Sequence, residues 1–295
     1  MNILVALNDA YVAPLEVMLT SLFETNKWCK IKVFLFYSNI KESNIKKIKM
    51  LVEKNGHLFE AIFVSTNFFD NLPQIKRISN ETYYRLLCAE LLPENIDKVL
   101  YLDADIIIKE SLKQLYNSQM GKFYFFAAKD ENIDIDNWKI HKKLNIPLNK
   151  PYINAGVLLI NLKLFREEVR TEELFEFVKL NYKKLYFSDQ DVINSMFYNK
   201  IKVISLNYNC KSCLVNDNLI KYLLFIVNKK NRMDIKIIHY LADDKPWKKG
   251  FHSRYGRYFY KYAKISKNDE MNQHSNYNKH FWLYNYLYNK YIHKN

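Results

Sequence analysis

The chain has 295 residues, 49% of them hydrophobic and 26% charged, enough to bury one large α/β core. Its net charge of +14 is uneven, because nine of those charges fall in residues 245–295 and the rest of the chain carries close to five. A cationic tail attracts phosphate groups in general, whereas a nucleic-acid reader would spread its basic residues through its binding face, so nucleic acid is not an expected partner.

In chain order, Asn2–Leu7 is an apolar run ending at Asn8-Asp9, which reads as a buried strand followed by a loop. The Asn-Asp pair also breaks the apolar start, so no secretion signal is evident and a cytoplasmic location is expected. No apolar run approaches the roughly 20 residues of a membrane span. From Pro14 the spacing of Leu15, Met18, Leu19 and Leu22 predicts a helix. Lys32–Tyr37 is the next strand, Ile45, Ile48 and Val52 mark a second helix, and Ala61–Val64 is a third strand. Tyr83–Leu91 reads as helical and Lys98–Leu102 as a strand. Later strands are expected at Tyr124–Ala128, Val157–Ile160, Ile201–Ile204 and Ile235–His239, with helices over Leu164–Leu180 and Gln190–Phe197. Cys210-Lys-Ser-Cys213 is a single CxxC without a second pair and reads as two ordinary cysteines rather than a zinc or redox site. Strand–helix alternation of this kind predicts a single α/β domain of the Rossmann-like type, with a mixed, mostly parallel sheet.

Ligands of such sheets bind beyond the carboxyl ends of the strands, and Asn8-Asp9, Asp103/Asp105 and His239 all fall there. The five glycines (56, 121, 156, 250, 256) form no GxG and no P-loop, so a bound diphosphate would need its charge neutralised by other means. A divalent metal on carboxylates is the obvious substitute. Asp-x-Asp occurs at 103–105, 134–136 and 189–191, and only the first follows a fully apolar strand, Val99–Leu102. If that stretch stays extended, Asp103 and Asp105 project to one side and face a single ion.

Lys98-Val-Leu-Tyr-Leu-Asp-Ala-Asp105 resembles the metal-binding segment of glycosyltransferase family 8, which includes bacterial lipopolysaccharide galactosyl- and glucosyltransferases and glycogenin. Tyr83-Tyr-Arg-Leu86, Tyr152-Ile-Asn-Ala-Gly-Val-Leu-Leu-Ile-Asn161, Ser188-Asp-Gln-Asp191 and His239-Tyr-Leu-Ala-Asp-Asp-Lys-Pro-Trp247 are similar to further family segments, in the family's order. The resemblance runs from Asn2 to about Trp247.

It implies a GT-A type fold and retaining transfer of galactose or glucose from a UDP-sugar to a glycan, such as a lipopolysaccharide core. A glycogenin-like self-glucosylating enzyme is the alternative within the family. By the same resemblance Ala6, Asn8 and Tyr11 contact the nucleoside. Asp103, Asp105 and His239 hold the metal, with manganese favoured over magnesium by the mixed carboxylate–imidazole set. Arg85 and Lys245 face the sugar diphosphate, near Ala104. Asp130, Asn154, Ala155, Asp189 and Gln190 form the donor-sugar pocket. Gln190 lies beside the anomeric carbon and Asp189 orients a sugar hydroxyl. Asp191 is equally readable as a helix cap. Ala242 stands where the family usually has glycine, which puts the close approach of that loop to phosphate in doubt.

The domain expectation is residues 1–247 for catalysis and 248–295 as a basic, aromatic extension. In it Lys248, Lys249, Arg254, Arg257, Lys261 and Lys264 are interspersed with Phe251, Tyr255, Tyr258, Phe259, Tyr260 and Tyr262, and Phe281, Trp282 and four tyrosines follow. Such a segment suits either an anionic membrane surface or packing on the catalytic core.

Overall fold

The computed structural model describes residues 1–69, 80–130, 137–212, 234–241, 245–249, 251, 253 and 255–272. It divides into two compact units. The first comprises Met1–Ala10, Trp28–Asp103 and Leu112–Leu206; the second comprises Tyr11–Lys27, Ala104–Ser111 and the chain from Asn207 onward.

The strands are β1 (Asn2–Ala6), β2 (Lys32–Tyr37), β3 (Leu58–Phe63), β4 (Lys98–Leu102), β5 (Ile106–Ile108), β6 (Phe125–Ala128), β7 (Val157–Asn161), β8 (Ile201–Ile204), β9 (Cys210–Lys211) and β10 (Ile237–His239). Among the described residues the first unit is built on a seven-stranded sheet of order β3-β2-β1-β4-β7-β6-β8. β7 alone runs against its neighbours β4 and β6; the other pairings are parallel. The sheet is therefore mixed and mostly parallel, as the strand–helix alternation predicted. β1, β2 and β4 are continuous apolar runs because a central parallel strand is covered on both faces.

The helices of the first unit bear on where the site residues fall. Tyr83–Leu91 is helical, but as a 3₁₀ stretch (Asn80–Leu87) followed by a short α-helix (Cys88–Leu91). The single helix expected over Leu164–Leu180 is two, Leu162–Glu168 and Thr171–Asn181, with Val169 and Arg170 extended between them. Arg166 fixes the position of the first of the two. Its guanidinium donates to the carbonyls of Ala89, Leu92, Pro93 and Ile96 at 2.8–3.0 Å, which anchors the first piece to the turn before β4.

The second unit pairs β10 antiparallel to β5 and parallel to β9. Helix α1 (Val12–Thr25) supplies Val17 to its apolar cluster, and Ile107, Cys210, Ile238 and Tyr240 join from the strands. The cluster is completed from the C-terminal segment by Phe251, Tyr255, Phe259, Tyr260, Tyr262, Ala263 and Met271. The aromatic residues of 251–271 therefore form core in this unit. Glu16, buried on α1, accepts from Asn268 Nδ2 at 2.7 Å and ties the two ends of the unit together. The later aromatic run, Phe281 to Tyr291, lies outside the described residues. No helix among the described residues is long and apolar enough to cross a membrane.

Candidate active site

Strand direction places the functional residues of the first unit along one sheet edge. β4 and β6 are parallel to each other and β7 is antiparallel to both, so the exits of β4 and β6 meet the entrance of β7. Asp103 follows β4, Asp130 follows β6, and Asn154 and Ala155 precede β7. The ladder carries on past the strands. Asp103 N–H donates to Gly156 O at 2.9 Å, Asp130 N–H to Tyr152 O at 2.9 Å, and Asn154 N–H to Ala128 O at 3.0 Å. These backbone bonds hold the site loops as firmly as strand.

Arg85, on the 3₁₀ stretch, is the cation of this edge and is buried. Its Nε lies 2.8 Å from Asp189 Oδ2, its second terminal nitrogen 3.2 Å from Asp103 Oδ1, and its first donates to Ala155 O at 2.5 Å. The guanidinium also stacks over the Tyr101 ring, 4.1 Å from its centroid, and the Tyr101 hydroxyl donates to Asp103 Oδ1 at 2.7 Å. Burial pushes the Asp189 carboxyl up to about 7; Arg85 opposes the rise and the Asp103 charge adds to it. One guanidinium thus faces two carboxyl groups, of which Asp189 is the one whose charge burial disfavours.

Asp189 and Gln190 open helix Asp189–Phe197. The Gln190 amide is held at both ends. Its Oε1 accepts from Asn154 Nδ2 at 3.1 Å and Ala155 N–H at 3.0 Å, and its Nε2 donates to Asp130 Oδ2 at 3.2 Å. Asp130, Asn154, Ala155, Asp189 and Gln190 are therefore brought together with Arg85 and Asp103. Ala6 ends β1 and Asn8 makes a local turn, its Oδ1 accepting from Ala10 N–H at 3.2 Å.

The second unit holds the rest. Asp105 and Ala104 form a turn between β4 and β5, not the continued extended chain expected from the Asp-x-Asp spacing. Asp105 Oδ1 lies 3.2 Å from His239 Nε2, and Asp105 Oδ2 accepts from Lys245 Nζ. Lys245 also donates to Tyr240 O at 2.5 Å. Burial pushes the Asp105 carboxyl up, but His239 and Lys245 outweigh it and hold the group well below the usual carboxylate range. His239 Nδ1 is 2.8 Å from Asn209 Oδ1, which only accepts, so Nδ1 carries a proton and Nε2 is the ring nitrogen that faces Asp105. Nε2 and the two Asp105 oxygens thus converge, and an outer hydrogen bond that fixes the far ring nitrogen is typical of a ligating histidine. Tyr11 meets Trp247 edge to face, with ring centroids 6.2 Å apart. Ala242 lies outside the described residues, as do Asp134, Asp136 and Cys213.

Sequence reading assigned no role to Tyr101, Tyr152 or Asn209. Asn209 stands thirty positions from the histidine it orients, and only the β9–β10 pairing reveals the link. Tyr152 was visible as the first residue of the 152–161 segment, without any sign of what its hydroxyl meets.

A mostly parallel sheet with carboxylates at its strand exits, and no glycine loop to cradle phosphate, is an arrangement shared with GT-A type glycosyltransferases. The solved galactosyltransferase LgtC, in complex with donor and acceptor sugar analogues, superposes with a TM-score of 0.77 at 25% identity, covering 90% of this chain and 96% of that one. A lipopolysaccharide 1,2-glucosyltransferase of Escherichia coli is 29% identical over 253 residues, 83% of this chain and 73% of that protein. A putative glycosyltransferase of Haemophilus influenzae is 31% identical over 255 residues, 84% of this chain and 73% of that protein. The family model described as Glycosyl transferase family 8 matches residues 2–250. The chain belongs to glycosyltransferase family 8.

Proposed function

We propose that the protein transfers a hexose, galactose or glucose, from a UDP-sugar to an acceptor glycan with retention of anomeric configuration. The observation that carries the reading is the buried set Arg85, Asp189 and Gln190 at the sheet edge. It offers a cation, a hydrogen-bond acceptor and a neutral amide to one small polar ligand, and no activated nucleophile in the sense of a Ser–His or Cys–His pair. Asp189 orients a hydroxyl of the donor sugar. Gln190 lies beside the anomeric carbon, where an amide is too weak a nucleophile to form a routine covalent intermediate. The acceptor oxygen then bonds the anomeric carbon on the face from which the diphosphate departs, and its proton passes to the departing phosphate oxygen. Ala6, Asn8 and Tyr11 contact the nucleoside; Arg85, Lys245, Ala104 and Ala242 line the diphosphate.

Asp103, Asp105 and His239 are the ligands proposed for a divalent cation. The donor set of two carboxylates and one neutral imidazole suits manganese, with magnesium a poorer fit. When bound, the ion neutralises charge developing on the nucleoside diphosphate. The relatives named lipopolysaccharide 1,2-glucosyltransferase and 1,3-galactosyltransferase support a cell-surface glycolipid as acceptor. Such an acceptor would place the enzyme at the inner face of the cell membrane, with residues 273–295 as the contact.

The test is a screen of UDP-sugars with manganese, following slow donor hydrolysis without acceptor, then transfer to a lipopolysaccharide core. Hydrolysis should favour UDP-galactose or UDP-glucose, stop in excess chelator, and give an α-linked product on transfer. A β-linked product by NMR, or full turnover in chelator, would overturn the reading.

A further inference from the structure

Asp191 has no place in the chemistry above, yet it is fully buried. Its Oδ2 accepts from the backbone N–H groups of Tyr186 at 2.5 Å and Phe187 at 2.8 Å. Those bonds brace a turn whose next residue, Ser188, is held at φ 51°, ψ −120°, a conformation that strains a non-glycine residue. Its Oδ1 accepts from the hydroxyl of Tyr152. That hydroxyl also lies 3.4 Å from Gln190 Nε2.

These contacts have a direction. A carboxylate only accepts, so Tyr152 must donate its proton to Asp191 and keep its lone pairs for Gln190. Burial, and then the Asp191 charge, push the Tyr152 phenol well above its ordinary value, so the proton stays on the tyrosine oxygen. The Gln190 amino group accordingly points to Tyr152 and Asp130, and its carbonyl oxygen to Asn154 and Ala155. A carboxamide rotated by half a turn has the same shape and would present its NH₂ to two donors.

We propose that Tyr152 and Asp191 act in series as positioning residues that fix which end of the Gln190 amide faces each side of the donor-sugar pocket. The proposal rests on the reading that Gln190 borders the reacting carbon. It assigns Asp191 a structural charge, buried and committed to three donors, in place of a role as a helix cap.

Tyr152→Phe is the discriminating variant, because it leaves both backbone bonds of Asp191 to the turn in place and removes only the hydroxyl. We expect kcat for transfer to fall about tenfold or more, as for other supports of a reacting group, with the UDP dissociation constant unchanged within about twofold. Asp191→Asn should show the same kcat loss, and Asp191→Glu should recover part of it. In a Gln190→Ala background, Tyr152→Phe should cause no further loss, since the group it positions is gone. Full kcat in Tyr152→Phe, or an undiminished loss in the Gln190→Ala background, would overturn the relay. If Gln190→Ala itself keeps full kcat, the placement of Gln190 at the reacting carbon fails instead, and the two failures are distinct.

Discussion

Replacing Arg85 by methionine tests the electrostatic account of the first unit. The substitution keeps the length of the side chain and its packing on Tyr101, but removes the cation from between Asp189 and Asp103, at 2.8 and 3.2 Å. Stripping one partner from a buried ion pair costs about 3–5 kcal/mol, because the remaining charge stays desolvated. For a chain of this length that is a fall in Tm on the order of 10 °C. The assay is thermal unfolding at pH 8 in excess chelator, so that metal does not substitute for the lost cation. Arg85→Lys should lie between, since an ammonium keeps the charge but cannot bond Asp189, Asp103 and Ala155 O in one plane. Adding Asp189→Asn to Arg85→Met should restore much of the loss. A Tm within about 2 °C of the parent, or a double variant as unstable as Arg85→Met alone, would refute the argument.

Because the Asp189 carboxyl lies near 7 in the fold and near 3.8 in the open chain, the native state holds its proton more tightly and stability falls as pH rises through that window. In chelator, Asp189→Asn should therefore gain on the parent by about 2–3 kcal/mol from pH 5 to pH 8 in denaturant titrations, and parallel curves would show the carboxyl is not raised. Asp105→Asn and His239→Ala should each weaken manganese binding at least about tenfold by calorimetry, and Asn209→Ala should do so through the freed imidazole tautomer; unchanged affinity in all three would remove the metal site. Deleting residues 248–295 should abolish stable folding, since Phe259, Tyr260 and Tyr262 alone represent about 1.5–3 kcal/mol each of buried apolar side chain. After deletion beyond Asn272, loss of co-sedimentation with anionic liposomes would assign membrane contact to residues 273–295, while unchanged co-sedimentation would exclude them.

The central strands were legible because a parallel strand covered on both faces is an unbroken apolar run, as in Ile3–Val5 and Val99–Leu102. The break at Val169–Arg170 was not, because helical spacing survives a two-residue interruption, and the anchor of the first piece, Arg166 on carbonyls some seventy positions away, is non-local. β5 was hidden for a related reason: three isoleucines after Asp105 have no periodicity of their own, and their pairing partner is Ile237–His239. The tail shows the limit of composition. Alternating cations and aromatic rings suit a lipid surface and an amphipathic helix equally, and the burial of Phe259, Tyr260 and Tyr262 shows that the 256–265 stretch is such a helix. Of the site, the residue types were readable from five ordered segments, whereas the partners that orient them were not. Hydroxyl and amide groups such as Tyr152 and Asn209 acquire direction only from neighbours brought in by the sheet.

The tie between Glu16 and Asn268 spans 252 positions, which bears on how this protein is made. Helix α1 is apolar on most of its surface and leaves the ribosome well before the segment that covers it. The residues that cover it, Phe259, Tyr260, Tyr262 and Met271, are synthesised long after it. At about 5–20 residues per second, the helix waits roughly 12–50 s for its partners. Throughout that interval this sticky segment has β5 but not its later cover to lie against, so the nascent chain is expected to depend on holding chaperones until residue 272 has emerged. Ribosome-bound chains stopped before residue 250 should accordingly be protease-sensitive at α1, and chains extended past 272 should not.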